Sequence, residues 1–246
     1  MRAVASRVLP LLFLLACWEG AARIAASRLF PSATAVLAVL AEESLHGPLL
    51  YHLGVTLGRV GAAFVIAMAI GMAIGILMGR YPRLNALFDS GLVLLLNLPA
   101  LVVIVLAYVW FGLTEAAAIG AVAVNKIPTV AVTLREGTRG LDPDYAEMAR
   151  SFRLGRWTRL RHVILPQLYP FILAASRSGL ALVWKIVLVA ELLGRSNGIG
   201  FEIEIAFQRF DVPLILAYSF AFVIVMQAVE WGLLQPLERR AGRWRR

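Results

Sequence analysis

Hydrophobic residues make up 60% of this 246-residue chain and charged residues only 16%, and the formal net charge is +9. These proportions exclude an ordinary soluble globular protein and indicate a polytopic membrane protein. The apolar residues form long continuous runs, not short alternating segments, which favours helices over a β-barrel. We therefore predict an all-α bundle of membrane helices.

Six segments have about the length that a helix needs to cross the bilayer core. The predicted spans are residues 8–26, 58–78, 91–113, 116–134, 171–193 and 214–234. The first span has an alternative interpretation, because Arg2, Arg7, the apolar run 8–18 and the sequence LLAC at 14–17 resemble a signal peptide. We prefer an uncleaved first helix, which would contain the single cysteine, Cys17.

Glycines recur at helical spacing around the second span. Gly54 and Gly58 form one pair, and Gly71, Gly75 and Gly79 extend the pattern along one face. Small residues at this spacing let helix backbones approach closely in a membrane. The glycines therefore predict close helix packing, by preference within one subunit and otherwise between two.

Four polar side chains fall at membrane depth: Asn97, Lys126, Lys185 and Glu191. A lysine at the bilayer centre costs roughly 2.5 to 3.5 kcal/mol on insertion scales, so Lys185 should face the interior or water. Each residue could line a solute pathway, or could serve the structure through buried pairing or by reaching the headgroups. Both interpretations stay open for Lys185. A structural role is preferred for the other three, with Glu191 paired to a neighbouring cation.

A basic, amphipathic segment interrupts the membrane-like sequence at residues 142–170. Its arginines exclude burial in hydrocarbon, whereas Tyr145, Met148, Ala149 and Phe152 recur at helical spacing and form one apolar stripe. This pattern is typical of a helix that docks on a partner outside the membrane.

The start of this helix is marked by local signals. Asp142 is a suitable N-cap, and Pro143 suits the first helical position. We predict a helix from there to about Leu154, followed by a turn at Gly155.

The same segment contains a recognisable pattern. The run EMA at residues 147–149 is followed by Arg153 and, nineteen residues after Glu147, by Pro166. This order is similar to the EAA signature of permease subunits from binding-protein-dependent ABC importers, which runs E-A-A, three residues, G, nine residues, I-x-L-P. Methionine stands at the second position of the signature, and Arg153 stands at its glycine, the nearest glycine being Gly155.

Residues 53–79 and 184–200 also resemble the nitrate, sulfonate and taurine branch of this family. The resemblance implies a type I ABC importer permease, in which two permease copies form the pathway above two copies of an ATPase. The EAA helix would sit in a cleft of the ATPase, and ATP-driven closure would reorient the bundle. Pro166 would let the chain turn into the fifth span. The residues implied in ATPase coupling are Tyr145, Glu147, Met148, Ala149, Phe152, Arg153, Gly155 and Pro166.

The predicted organisation has three parts. Residues 1–50 form the first helix and an outer loop, residues 51–237 form the permease domain with a coupling loop at 136–170, and residues 238–246 form a basic cytoplasmic tail. The loop 194–213 contains a turn signal followed by a short helical pattern. In the family an external solute-binding protein docks on this side, so the loop would either contact that protein or pack on its own bundle.

Arginines are distributed unevenly between the two sides of the predicted membrane. With the N-terminus inside, the cytoplasmic segments hold 16 arginines and the opposite loops four. This bias predicts a multi-pass membrane protein with both termini in the cytoplasm. The resemblance implies that the membrane is the bacterial inner membrane. Anionic lipid headgroups, and not nucleic acid, are the expected counter-charge, since no basic groove with interleaved aromatic residues occurs.

Motifs for chemistry are missing from the sequence. The chain has two lysines, Lys126 and Lys185, and neither follows the glycine run of a Walker loop. Its three histidines have no metal-ligand spacing, and no Ser, His and acid constellation stands out. We therefore expect no catalytic residues, metal or cofactor, and we expect ATP hydrolysis in a separate chain.

The predicted function is that of a permease subunit of an ATP-driven importer. If the lysines line the route, they would favour a small organic or inorganic anion, and the resemblance implies candidates such as a sulfonate or nitrate. Two alternatives stay open. A secondary transporter would need an internal repeat and a central carboxylate, and a membrane scaffold would recruit a soluble partner without any polar pathway.

Overall fold

The computed structural model describes residues 2–236, without the side chains of residues 2–8, 11, 233 and 234. Within this range the chain forms eleven α-helices and two π-helical segments. The α-helices are α1 (Arg2–Ala25), α2 (Ala33–Leu45), α3 (Leu49–Arg80), α4 (Pro82–Asn97), α5 (Ala100–Phe111), α6 (Glu115–Arg139), α7 (Pro143–Ser151), α8 (Arg156–Arg159), α9 (Leu165–Gly194), α10 (Ile199–Gln208) and α11 (Val212–Val229). The π-helical segments are Leu160–Ile164 and Glu230–Leu234. The all-α prediction is confirmed, and the predicted basic tail, 238–246, lies outside the described residues.

Four helical stretches of the described chain are long and apolar enough to cross a membrane. They are Leu49–Arg80, Glu115–Arg139, Arg156–Gly194 and Val212–Gly232. These stretches agree with the second, fourth, fifth and sixth predicted spans. The first predicted span coincides with α1, some of whose side chains are outside the description, and it stays a prediction.

The third predicted span, 91–113, is not one straight helix. Instead α4 and α5 meet at a bend of 97°, and only together are they long and apolar enough to cross a membrane. Pro99 has no N–H to continue the helix, and it holds the preceding Leu98 in an extended conformation with φ −71° and ψ 125°. The pair is therefore a broken span or a re-entrant loop.

The centre of the bundle is formed by α3, α6 and α9, with α5 against them. Small and β-branched side chains fill this core, and Ala63, Ile104, Ala121 and Val183 are all buried in it. Because few of these side chains are large, the helix axes can lie close together.

The C-terminal half of α3 packs on α6 at its glycine positions. A Cβ atom at Gly71 would lie 2.6 Å from the Cβ of Val130, and Gly75 and Gly79 meet the next turns of α6 in the same way. By contrast, no described atom would lie within 4 Å of a Cβ at Gly54 or Gly58. Packing within one subunit is therefore confirmed for three of the five predicted glycines, and the other two face open space.

Both π-helical segments end two residues before a proline, Pro166 in one case and Pro236 in the other. A proline cannot donate to the carbonyl four residues earlier, and its ring presses against that carbonyl. A wider turn relieves this contact, and the N–H of Leu165 donates to the carbonyl of Leu160. The chain thus continues as one 39-residue helical stretch, Arg156–Gly194, and the predicted turn at Pro166 is wrong.

Candidate functional site

The helix α7 begins where the sequence predicts. An Asp142 side-chain oxygen accepts a hydrogen bond from the N–H of Asp144 at 2.9 Å, and Pro143 is the first helical residue. This cap satisfies one of the amide groups that a helix start leaves without a partner. The helix is shorter than predicted, however, because it ends at Ser151 and not at about Leu154.

The end of α7 explains the glycine of the signature. Arg153 has a φ of +50°, in the left-handed region. Its N–H donates to the carbonyl of Arg150 at 2.9 Å, and the N–H of Leu154 donates to the carbonyl of Ala149 at 3.0 Å. These two bonds form a Schellman motif, whose left-handed position is usually glycine. Gly155 has a φ of −57°, so the turn predicted at Gly155 is made at Arg153 instead.

The apolar stripe of α7 is divided between two faces. Phe152 is 74% exposed, and Tyr145 and Met148 are also exposed, so these three side chains form an uncovered surface. Ala149 is only 2% exposed and is buried within its own chain. The expectation that Ala149 buries apolar surface on a partner is therefore wrong, because α7 turns this residue inward.

Further exposed residues follow in the same segment of the chain. Trp157 on α8 is 70% exposed, and the sequence analysis missed it although it lies in the predicted coupling loop. Glu147 is exposed and has only a loose ion pair with Arg150, at 3.8 Å. Four arginines of this segment are exposed as well, and they are Arg150, Arg153, Arg156 and Arg161. We call Tyr145, Met148, Phe152 and Trp157 the α7 surface.

A buried ionic cluster lies at the opposite end of the bundle. Arg59 on α3 is buried and donates to Glu115 on α6 at 2.8 Å. It also donates to Glu191 on α9 at 2.7 Å and to the carbonyl of Asn197 at 2.8 Å. Arg195 joins the cluster through a 2.7 Å ion pair with Glu115. Two guanidinium groups and two carboxylates therefore neutralise one another where three long helices and a loop meet.

The cluster also holds the start of α10. Glu191 is fully buried and accepts from the hydroxyl of Thr56 and from the N–H of Gly200, both at 2.9 Å. His52 accepts from the N–H of Gly198 at 2.9 Å. Side chains from α3 and α9 thus accept hydrogen bonds from backbone N–H groups at the start of α10. The loop before α10 does not itself provide acceptors for these groups.

Glu191 therefore has the internal pairing that the sequence analysis preferred over a pathway role. Arg59, the cation of this pair, was not among the predicted site residues. A signal was present in the sequence, because His52, Thr56 and Arg59 are spaced by four and three residues and share one face of an otherwise apolar helix.

The two lysines have opposite surroundings. Lys126 on α6 is 2% exposed, and its Nζ has no hydrogen-bond partner among the described residues. Lys185 on α9 is exposed, and its Nζ lies 5.6 Å from the centre of the Trp184 ring. Asn97 is exposed at the end of α4, and its amide donates to the carbonyl of Val93 at 2.8 Å.

Lys185 belongs to an exposed face of α9 that contains few large side chains. Ala174, Ser178, Ala181 and Lys185 are all exposed, and their spacing places them on one side of the helix. Lipid-facing helix surfaces are normally apolar, whereas small and polar residues are typical of contacts between membrane helices. This side of α9 therefore has the composition of a helix contact or a water-filled route.

Comparison with known proteins identifies the family. Residues 64–229 match the family described as binding-protein-dependent transport system inner membrane component. The putative aliphatic sulfonates transport permease protein SsuC of Bacillus subtilis (strain 168) is 30% identical over 234 residues, which cover 94% of this chain and 84% of the relative. The taurine transport system permease protein TauC of Escherichia coli (strain K12) is 30% identical over 193 residues, which cover 78% of this chain and 70% of the relative.

The fold has a solved counterpart. A chain of the MetNI methionine ABC transporter, solved in inward-facing conformations, superposes with a TM-score of 0.67 over 79% of this chain and 98% of its own length, at 16% identity. The resemblance inferred from the signature at residues 147–166 is thus confirmed. The chain belongs to the family of inner membrane components of binding-protein-dependent transport systems, and it is a permease subunit.

Proposed function

We propose that this permease carries a small anion along the exposed face of α9, in a pathway that two identical subunits form together. The observation behind the proposal is Lys185, an exposed cation within a helix of membrane length. A lysine against lipid near the bilayer centre costs roughly 2.5 to 3.5 kcal/mol, so water or a second subunit is the expected neighbour.

The relatives support an anionic solute. The names of SsuC and TauC specify aliphatic sulfonates and taurine, all of which carry a sulfonate group. A lysine ammonium supplies a compact positive charge with three hydrogen-bond donors, which suits the oxygens of such a group. Small residues beside Lys185 would leave room for the solute between two subunits. Asn97, at the break between α4 and α5, remains a candidate for the same pathway.

Uptake into vesicles tests the solute class. The permease is reconstituted with its ATPase and binding protein, and ATP-dependent uptake of labelled ethanesulfonate and nitrate is measured. We expect uptake of at least one of these anions by the wild type and a loss of at least about tenfold in Lys185→Met, because the charge is gone. Lys185→Arg keeps the charge and should retain part of the activity, and Leu182→Met is a neutral control on the same helix. Unchanged uptake by Lys185→Met would contradict the proposed pathway.

The α7 surface is the proposed docking site for the ATPase. The aromatic and Met side chains of this surface are exposed although they lie on a polar segment. Aromatic residues that become buried between two proteins contribute strongly to binding. Glu147 is free to meet a cation of the ATPase, whereas Ala149 acts by packing α7 on its own chain. Arg153 and Pro166 shape the segment, through the Schellman turn and the π-helical turn, and Gly155 links α7 to α8.

Retention of the ATPase during purification in mild detergent tests this surface. Phe152→Asp places a charge at the most exposed side chain of the α7 surface, and it should release the ATPase while leaving the permease folded. Phe207→Asp is the matched control, because Phe207 is similarly exposed on α10 at the other end of the bundle. Equal retention by both variants would contradict the assignment.

The orientation follows from the ATPase site. If the α7 surface meets a cytoplasmic ATPase, α10 lies outside and the chain end after α11 lies in the cytoplasm. The N-terminus lies there too if the first predicted span crosses the membrane, in agreement with the arginine bias. The exposed aromatic residues Phe207 and Phe210 then belong to the surface that would meet the solute-binding protein. Gly54 and Gly58, which have open space around them, are available for contact with the second subunit.

A further inference from the structure

We infer that Lys126 is a second binding residue for the anionic group of the solute, covered by α9 in this conformation and uncovered when α9 moves. The inference rests on the proposed transport of an anion. It adds a site inside the subunit to the exposed site at Lys185.

The first argument is that Lys126 has no hydrogen-bond partner in the described part of the chain. It lies eleven residues after the start of α6 at Glu115 and thirteen before its end at Arg139, close to the middle of the helix. Its side chain is almost fully buried, and Nζ has no hydrogen bond to the described residues. A buried ammonium is normally paired, because it loses its hydration without compensation.

The other Lys or Arg side chain that is buried, among those described in residues 2–236, has all of its donors satisfied. Arg59 donates to two carboxylates and to Asn197, although it is buried to a similar degree. The fold is therefore able to supply anionic partners to a buried cation. The missing partner at Lys126 then indicates an anion that is not part of this chain.

The second argument is the position of Lys126 beside a notch in α9. A Cβ at Gly179 would lie 3.1 Å from Cε of Lys126 and 3.8 Å from its Nζ. The end of the lysine thus lies against the backbone of α9 at a position without a side chain, and the ring of Phe64 borders the same notch, with Cε2 at 3.3 Å from such a Cβ. Ser178 and Ala181, on either side of the notch, belong to the exposed face that includes Lys185.

The two lysines are therefore separated by a short stretch of one helix. Gly179 and Lys185 are six residues apart, which corresponds to about 9 Å along the axis of α9. Lys126 and Lys185 are the two lysines of the chain, and its other basic residues are arginines and three histidines. Gly179 is buried and lies roughly 130° around α9 from the pathway face. A substantial rotation or displacement of α9 is therefore the movement that would bring Nζ of Lys126 to this face, where an anion held at Lys185 could pass to it.

Uptake of labelled ethanesulfonate by the reconstituted complex with ATPase and binding protein gives the first test. We expect Lys126→Met to insert and fold with a thermal midpoint at or above that of the wild type, because an unpaired charge is removed. Its uptake should nevertheless fall at least tenfold. Wild-type uptake by a well-folded Lys126→Met variant would overturn the inference, and it would leave the proposed function intact. Absence of anion uptake by the wild type would instead contradict the proposed function.

Chemical labelling gives a test that does not depend on transport. An amine-reactive acylating reagent modifies lysines, and because the chain has two of them, mass spectrometry of the peptides reads each separately. The complex is labelled without nucleotide and after trapping with ATP on a hydrolysis-deficient ATPase. We expect Lys185 to react in at least one state, and Lys126 to change at least tenfold between the states and to be protected by ethanesulfonate. If Lys126 reacts in neither state while Lys185 is modified, the inference is overturned.

Discussion

Removal of the guanidinium of Arg59 should strongly destabilise the folded protein. Arg59→Met leaves Glu191 fully buried without its cation and removes two donors from Asn197. Loss of one partner from a buried ion pair lowers the free energy of unfolding by about 3 to 5 kcal/mol, because the other charge stays buried without compensation. For a chain of this length the thermal midpoint should fall by roughly 6 to 20 °C.

Thermal unfolding in mild detergent, followed by tryptophan fluorescence at one heating rate, measures this effect. The double variant Arg59→Met, Glu191→Gln should recover most of the loss, because the uncompensated charge is gone. Arg23→Met is the control, since it removes the partner of Glu19 from an ion pair whose arginine is largely exposed, and its midpoint should match the wild type. A midpoint for Arg59→Met within about 2 °C of the wild type would refute the assigned role of the cluster.

Two further pairs of variants, each a test and its control, examine local geometry. Arg153→Gly should stabilise the end of α7 by about 1 kcal/mol, because glycine adopts a positive φ without strain, and hydrogen exchange of the α7 amides should slow. Gly155→Ala, at a negative φ with no described atom near its Cβ, should leave exchange unchanged, and the reverse pattern would contradict the Schellman assignment. Gly75→Leu should lower the free energy of unfolding by about 3 kcal/mol or abolish folding, because the leucine side chain would collide with the backbone of α6 at Ala131. Gly54→Leu should leave the isolated subunit folded, and equal thermal midpoints for these two leucine variants would contradict the packing described for α3.

Local signals in the sequence were sufficient for the element types and for the start of the coupling helix. Long apolar runs need helices because a membrane leaves no other partner for the backbone, so four spans agree with their predicted positions. Asp142 and Pro143 act within a few residues of themselves, and the start of α7 is therefore readable without the fold. The signature at residues 147–166 identified the family for the same reason, since its spacing is contained in one short segment.

Other features depend on which side of a helix meets a neighbour, and only the tertiary structure decided them. Ala149 shares a periodic stripe with Phe152, yet the packing of α7 buries the first and exposes the second. Lys126 and Lys185 have the same chemistry at membrane depth, but α9 covers one and presents the other. Arg59 finds its partners on helices far along the chain. Sequence periodicity defines a face, whereas the contacts that the face makes are set by the arrangement of the whole bundle.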